Sequence, residues 1–372
     1  MLRLAFRNLF QSKIRLVISI GGTALALLLI LALDAIFAGV EKQITAYIDH
    51  SGADAFVAQS GVRNMHMATS AMPASVAGKV KNVPGVESVT PILYLTNMIA
   101  IGQERNLAYV IGLPPDAEIG GPWRVVEGKS IPAAREAIID RGIAVKSGVG
   151  LGDKVKILGQ EFTLVGLSEG TVSLVNSVAF VSKSDFARLR GDSQTVSFVL
   201  VKVKPDESPD QVAARIEADV NDVTAQSREA FAAQERKVVR DMSTDVINIM
   251  NLVGFMIGLA VMAITVYTAT LARRAEYGVL KALGARNGHL YVAVLAQAFY
   301  SVLLGFALGL IFTLLLSVII PRLGFNLTLL VNGASLAKVG GVSLVIASAS
   351  AILPIRQIAS LDPAMVFRKG MK

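Results

Sequence analysis

Four long apolar stretches punctuate the chain, at residues 16–33, 246–272, 290–320 and 336–353. Each approaches the roughly 20 residues that a helix needs to cross a bilayer core about 30 Å thick. The third spans 31 residues, roughly 46 Å at about 1.5 Å per residue, so it must tilt or project. A cleaved signal peptide competes with an uncleaved span for residues 16–40. The apolar run exceeds a signal core of about 7–15 residues and no small-x-small cleavage site follows, so the uncleaved span is preferred.

Between the first and second stretches, residues 41–245 carry shorter periods. An extended segment at 55–57, a helix at 73–81, a Pro84-Gly85 turn and a strand at 86–90 suggest a first strand–helix–strand half over about 55–123. A second half over 191–227 follows from alternation at 196–203, Ser208 as an N-cap with Pro209 and Asp210 behind it, a helix through Val220 and a strand at 223–226. Glycine-broken strands at 138–140, 154–158, 161–165 and 178–181 read as a β-rich insertion over 124–190. Residues 228–245 have no Gly or Pro and run into the second span, predicting one stalk helix. Residues 1–15 place Leu2, Phe6, Leu9 and Phe10 on one face, suiting an amphipathic helix on the inner leaflet; a basic juxtamembrane tail is a compatible reading.

Composition agrees with membrane residence. Hydrophobic residues are 53% and charged residues 17% of 372, against roughly 45–50% and about 25% in soluble domains. The chain has no cysteine, which excludes disulfides and thiolate chemistry.

The net charge of +8 is unevenly distributed. Residues 41–245 hold 22 Lys and Arg against 25 Asp and Glu, while the remaining residues carry +11. Twelve basic residues precede the first span, separate the second from the third (loop 273–289) or follow the fourth (tail 354–372). The outer loop 321–335 has only Arg322, with Lys338 at the edge of span four. The positive-inside bias places both termini in the cytoplasm of a bacterial cell and the 205-residue segment outside. Nucleic acid is then not an expected partner. The fold class is thus α-helical membrane protein with four spans and a large extracytoplasmic α+β domain between the first two.

Catalytic signatures are missing. Gly128-Lys129-Ser130 ends like a phosphate loop, but Trp123 stands where its first glycine belongs. No His-Glu-x-x-His or Gly-x-Ser-x-Gly occurs, and three histidines in all leave no triad. Neither enzymatic activity nor a resident cofactor or metal is expected of this chain. Spans two and three hold no Asp, Glu, Lys, Arg or His, unlike ion-coupled carriers. Asp34 is expected in the outer headgroup region in a structural role. Gly254/Gly258 and Gly305/Gly309 have the small-xxx-small spacing of a helix seam, within the chain or at a subunit interface.

Loop 273–286 reads Arg-Arg-Ala-Glu-Tyr-Gly-Val-Leu-Lys-Ala-Leu-Gly-Ala-Arg, spaced for a short helix suited to a partner's groove. Arg273, Glu276, Gly278, Leu280, Lys281, Ala282, Gly284 and Ala285 match the R-x-x-E-(I/Y)-G-(I/V)-L-(K/R)-A-(I/L)-G-A loop of MacB/FtsX-type permeases, which include LolC/LolE and DevC relatives. Pro354, Arg356, Ala359, Leu361, Asp362, Pro363 and Phe367 match that family's tail. With the span plan, the resemblance covers essentially the whole chain. It implies an ABC transporter permease, working as a homodimer with two copies of a cytoplasmic ATPase that binds ATP and Mg. The loop through Arg286 would serve as its coupling helix, and the outer domain would do mechanical work on lipophilic, peptide or lipoprotein-type cargo. MacB carries a fused N-terminal ATPase that this sequence does not show, so a separate ATPase is expected. FtsX-like activation of an extracytoplasmic hydrolase, a haem exporter, or an ATPase-independent receptor or scaffold are the rival readings, and an extracytoplasmic adaptor is a further conceivable partner. For haem the candidates are Met65-His66-Met67 with His50 and Met72; simple packing of these residues on the domain is the preferred alternative.

Overall fold

The computed structural model describes residues 13–101, 104–172, 177–323 and 327–360. The expected amphipathic helix at 1–15 and the tail matches Leu361, Asp362, Pro363 and Phe367 lie largely or wholly outside them. The helices are α1 (Lys13–Ile44), α2 (Ala46–His50), α3 (Val76–Lys81), α4 (Arg141–Lys146), α5 (Lys183–Arg190), α6 (Pro209–Asp219), α7 (Arg228–Ala272), α8 (Arg274–Ala282), α9 (Asn287–Arg322), α10 (Gly333–Ser350) and α11 (Ile352–Ala359). The described residues divide into a helical unit, residues 13–39, 243–323 and 328–360, and a mixed unit, mainly residues 40–242.

The mixed unit is built on strands β1 (Ala55–Gln59), β2 (Met72–Pro73), β3 (Val86–Ile101), β4 (Glu104–Leu113), β5 (Val125–Gly128), β6 (Glu136–Asp140), β7 (Lys154–Ile157), β8 (Gln160–Ser168), β9 (Ser177–Ser182), β10 (Thr195–Val196), β11 (Phe198–Val203) and β12 (Val223–Ser227). Ten of them form one sheet in the order β12-β1-β11-β3-β4-β9-β6-β8-β5, with β7 pairing β3 and β8. At one end β1 lies antiparallel between β12 and β11, and β11 lies antiparallel between β1 and β3. Each βαβ unit is therefore split by a strand of the other, and the two interleave in the ferredoxin-like manner.

Alternation along these strands sorts side chains between two cores. In β1, Phe56 and Ala58 face a cluster with Tyr94, Phe180 and Phe231, whereas Ala55 and Val57 face one with Val80, Val212 and Ile216. In β11, Phe198 and Leu200 join the first cluster, and Val199 and Val201 the second. Helices α3 and α6 cover one face; α2 and the first turns of α7 cover the other. The alternation is real, yet both faces are buried, because each has its own helical cover. A third cluster, including Phe162, Leu164 and Phe186, fills the glycine-rich insertion.

Local details correct several expectations. Helix α3 begins at Val76, three residues later than expected, because Met72 and Pro73 pair with β10 in a separate two-stranded sheet. The expected strand 196–203 is accordingly two strands. The strand expected to stop at Thr90 continues to Ile101 as half of a long hairpin with β4. Pro91 sits just before its partner changes from β11, paired through Ile92, to β4, paired from Leu93, so a proline there does not end it. Ser208 occupies the cap position of α6, but its side chain makes no capping hydrogen bond. Single helices run over Lys13–Ile44 and Arg228–Ala272. The fourth apolar segment starts at Gly333 and is broken by a turn at Ala351 before α11.

Candidate functional site

Segment 273–286 combines three structural tasks. Arg274–Ala282 forms α8, which ends in a Schellman motif: the Gly284 N–H donates to the Lys281 carbonyl at 3.0 Å and the Ala285 N–H to the Leu280 carbonyl at 2.9 Å. Gly284 takes φ +91, the left-handed position that glycine holds without a Cβ penalty. Leu280 and Ala285 supply the motif's apolar contact and lie against the bundle core. The Leu-Lys-Ala-Leu-Gly-Ala string is thus a helix-stop signal.

A second set of residues faces inward. Arg273, Tyr277 and Gly278 are buried, and burial pushes the Tyr277 phenol above its ordinary value, against the opposing pull of Arg273. Lys281 donates from Nζ to the Ile358 and Ala359 carbonyls at 3.0 and 3.2 Å. It thereby meets the last carbonyls of α11, where a cation is favoured. These residues were expected to meet a partner; the structure turns them toward their own bundle.

The residues left outward are Arg274, Ala275, Glu276, Val279, Ala282, Leu283, Gly284 and Arg286. Leu283 is 79% exposed and Val279 43%. Two large apolar side chains between Glu276 and Arg286 make a compact, amphipathic projection. Val279 and Leu283 stand at the (I/V) and (I/L) positions of the motif but were not singled out with Glu276, Ala282, Gly284 and Arg286; their spacing of four on a helix that is otherwise small and polar on that side was the available signal.

The paired glycines are places of close approach. A Cβ at Gly254 would lie 2.7 Å from Ile30, and one at Gly258 would lie 3.0 Å from Ile346 and 3.3 Å from Ala26. At Gly305 it would meet Thr23 at 2.9 Å, and at Gly309 the Ala24 carbonyl at 3.1 Å. Both seams therefore seat α7 and α9 against α1 of the same chain. At the other end of this bundle, Asp34 is 9% exposed. It accepts from Lys338 Nζ at 3.0 Å and from Asn251 Nδ2 at 3.4 Å, tying α1, α10 and α7.

The haem candidates have separate partners. His50 stacks on Trp123 at 5.2 Å and its Nδ1 pairs with the Ala46 carbonyl at 2.8 Å. His66 lies edge-on to Tyr109 at 4.6 Å, with Nδ1 at 2.5 Å from Glu235, whose side chain is fully buried and also accepts the Met65 N–H. Met65 and Met72 are core residues, and Met67 is 64% exposed. Among the described residues, no group of three or more His, Cys, Asp or Glu could hold a metal.

Comparison with known proteins accounts for both units. A MacB-like periplasmic core domain matches residues 16–219, and an FtsX-like permease C-terminal domain matches residues 248–363. An uncharacterized ABC transporter permease of Mycobacterium tuberculosis is 24% identical over 371 residues, 99% of each chain. The macrolide export ATP-binding/permease protein MacB of Shewanella oneidensis is 23% identical over 395 residues, covering 97% of this chain and 59% of MacB. The periplasmic region of MacB from Actinobacillus actinomycetemcomitans, at 14% identity, superposes with a TM-score of 0.38 over 50% of this chain and 94% of that one.

Proposed function

The chain belongs to the ABC transporter permeases of the MacB/FtsX type, and from that premise we propose that its α8 projection docks on a cytoplasmic ABC ATPase. It is a membrane protein with four apolar helices and an extracytoplasmic domain. In the proposal both termini and α8 lie in the cytoplasm, as the basic residues on that side support. A second copy of the chain completes the complex, and ATP is bound and hydrolysed in the partner. Motion at α8 passes along the bundle to α1 and α7 and on to the outer domain, which moves lipophilic or peptide cargo outside the membrane. The export named for MacB supports this direction of work.

The observation that carries the reading is the exposed Val279–Leu283 pair flanked by Glu276 and Arg286. A leucine 79% exposed on a structured, capped helix outside the lipid-facing spans calls for a cover, as an apolar anchor does at an interface.

Placing a photo-crosslinking phenylalanine at Leu283 in cells tests it. The expected product is an adduct with a protein that carries an ABC ATPase nucleotide site, weakened several-fold by Glu276→Ala. An adduct pattern without any such ATPase, in membranes where the chain is folded, would count against the docking face. Gly284→Arg should also uncouple the partner, but it breaks the Schellman motif as well, so Glu276→Ala is the more specific variant.

A further inference from the structure

Two clefts flank Leu189 on α5, within the β-rich insertion. One, of about 310 Å³, is walled by Leu95, Leu158, Phe186 and Leu189, with Asn97 and Arg190 at its margin. The other, of about 290 Å³, lies across Leu189 and is lined by Phe162, Arg135, Arg188, Asp185 and Glu161. One side is thus mainly apolar and the other mainly charged, with a leucine as their common wall.

The charges on the polar side do not all cancel. Asp185 is already engaged: it accepts the Arg135 backbone N–H at 2.6 Å, the Ser182 hydroxyl at 2.8 Å and Arg188 Nη1 at 3.5 Å. Glu161 stands directly opposite Lys156 across the β7–β8 pair, a cross-strand neighbour of opposite charge, although the two form no ion pair among the described residues. The Arg135 guanidinium has no hydrogen bond or ion pair among the described residues. Its backbone, at φ 60, and that of Leu158, at φ 51, are both left-handed. Both are turn positions: Leu158 and Gly159 form the two-residue turn between β7 and β8, and Arg135 is the third residue of the turn closed by the Glu136 N–H on the Ala133 carbonyl at 3.1 Å. These two turn residues supply one cleft's unpaired cation and the other's apolar wall.

We propose that the paired clefts bind one amphiphilic anion, its apolar portion against Leu95, Leu158 and Leu189 and its carboxylate or phosphate head on Arg135 beside Arg188. An anionic head supplies the paired acceptors that a guanidinium fork matches, and the leucine wall covers an alkyl chain. The proposal rests on the outer domain being the part that handles cargo. Binding is measured without the ATPase, so its failure and that of the α8 docking face are read separately.

Because the chain has no cysteine, Gln160→Cys in the full chain accepts a single environment-sensitive fluorophore. In phosphatidylcholine nanodiscs, decyl phosphate and decanoate, added below their micellar concentrations, should give a saturable blue shift. Decyl maltoside and decyltrimethylammonium should not. Arg135→Gly removes the guanidinium while suiting the left-handed backbone, so the variant should keep its Tm within a few degrees and weaken anion binding at least tenfold. A shift in phosphatidylglycerol nanodiscs before any addition would identify the membrane lipid as the source of the anion; its absence, with binding of the added probes, would identify a free amphiphile. No saturable response to either anion or to phosphatidylglycerol, an equal response to the neutral or cationic probe, or undiminished binding by a folded Arg135→Gly would overturn the proposal.

Discussion

The two units differ in what they place on their surfaces: both enclose large apolar residues, but only the bundle also turns many of them outward. In the outer domain, Phe56, Phe162, Phe180, Phe186 and Phe198 are almost wholly enclosed, and charged side chains lie mostly outside. In the bundle, Ser19, Thr23, Ser301, Thr313 and Ser350 are inside, while Ile249, Leu252, Leu303, Ile311 and Leu344 face outward. Thr23 donates to the Ser19 carbonyl at 2.8 Å and Thr313 to the Gly309 carbonyl at 2.8 Å within their own helices, while the Ser19 hydroxyl donates to Met262 Sδ on α7 at 3.7 Å. Water expels large apolar groups and so assembles the outer domain around them. Lipid does not, and close approach of small residues takes over as the source of cohesion. Leu, Ile and Val therefore lie mostly inside the outer domain, whereas in the bundle they both fill the core, as Leu27, Ile30 and Val294 do, and cover the outward side.

Truncating a large side chain should separate them most strongly. Phe198→Ala in the outer domain should cost about 3–5 kcal/mol, read as loss of its unfolding midpoint in denaturant, whereas Leu303→Ala on the lipid-facing side of α9 should change bundle stability by less than about 0.5 kcal/mol. Equal effects would break the comparison. Enlarging a small residue should act in the reverse sense. Gly305→Leu inserts a side chain where even a Cβ would lie 2.9 Å from Thr23, and it should cost roughly 1–3 kcal/mol and part α9 from α1, detectable as lost cross-linking between introduced cysteines on those helices.

A smaller effect concerns the α8 cap. Gly284→Ala places a Cβ on a left-handed residue and should weaken this local structure by about 1 kcal/mol, seen as faster amide exchange over residues 280–285 with the remaining bundle unchanged. The smallest is electrostatic. Lys129 and the Ala133 N–H hold the Glu136 carboxyl below its usual range. A lowered folded value adds stability above the unfolded value and loses it as pH falls through the lowered one. On this partly solvated surface pair the effect is at most about 1 kcal/mol, and Glu136→Gln should remove it, flattening the acid limb of the outer domain's stability profile below pH 4.5.

Much of the architecture was readable before any coordinates, though not evenly. Local hydropathy located all four apolar helices, and period-two alternation in 196–203 did mark a strand. What alternation could not say was that both faces would be covered, since that depends on how α3, α6 and α7 pack back onto the sheet. The long hairpin escaped because Pro91 looks like a stop until the change of strand partner is known. In the α8 segment, motif resemblance treated as one set residues with different structural tasks: Gly284 closes the helix, Lys281 meets α11, and Leu283, at the motif's (I/L) position, points outward.

The sequence by itself determined how many apolar segments the chain has, which part lies outside the membrane plan, and the family to which it is related. Those features follow from residue-by-residue transfer preferences and charge totals, which add along the chain whatever the fold. Only the tertiary structure decided which polar groups meet. Lys281 finds Ile358 across 77 positions, His66 finds Glu235 across 169, and Lys338 finds Asp34 across 304. A hydrogen bond or ion pair acts over a few ångströms, and bringing its partners within that range is the work of the whole packed chain.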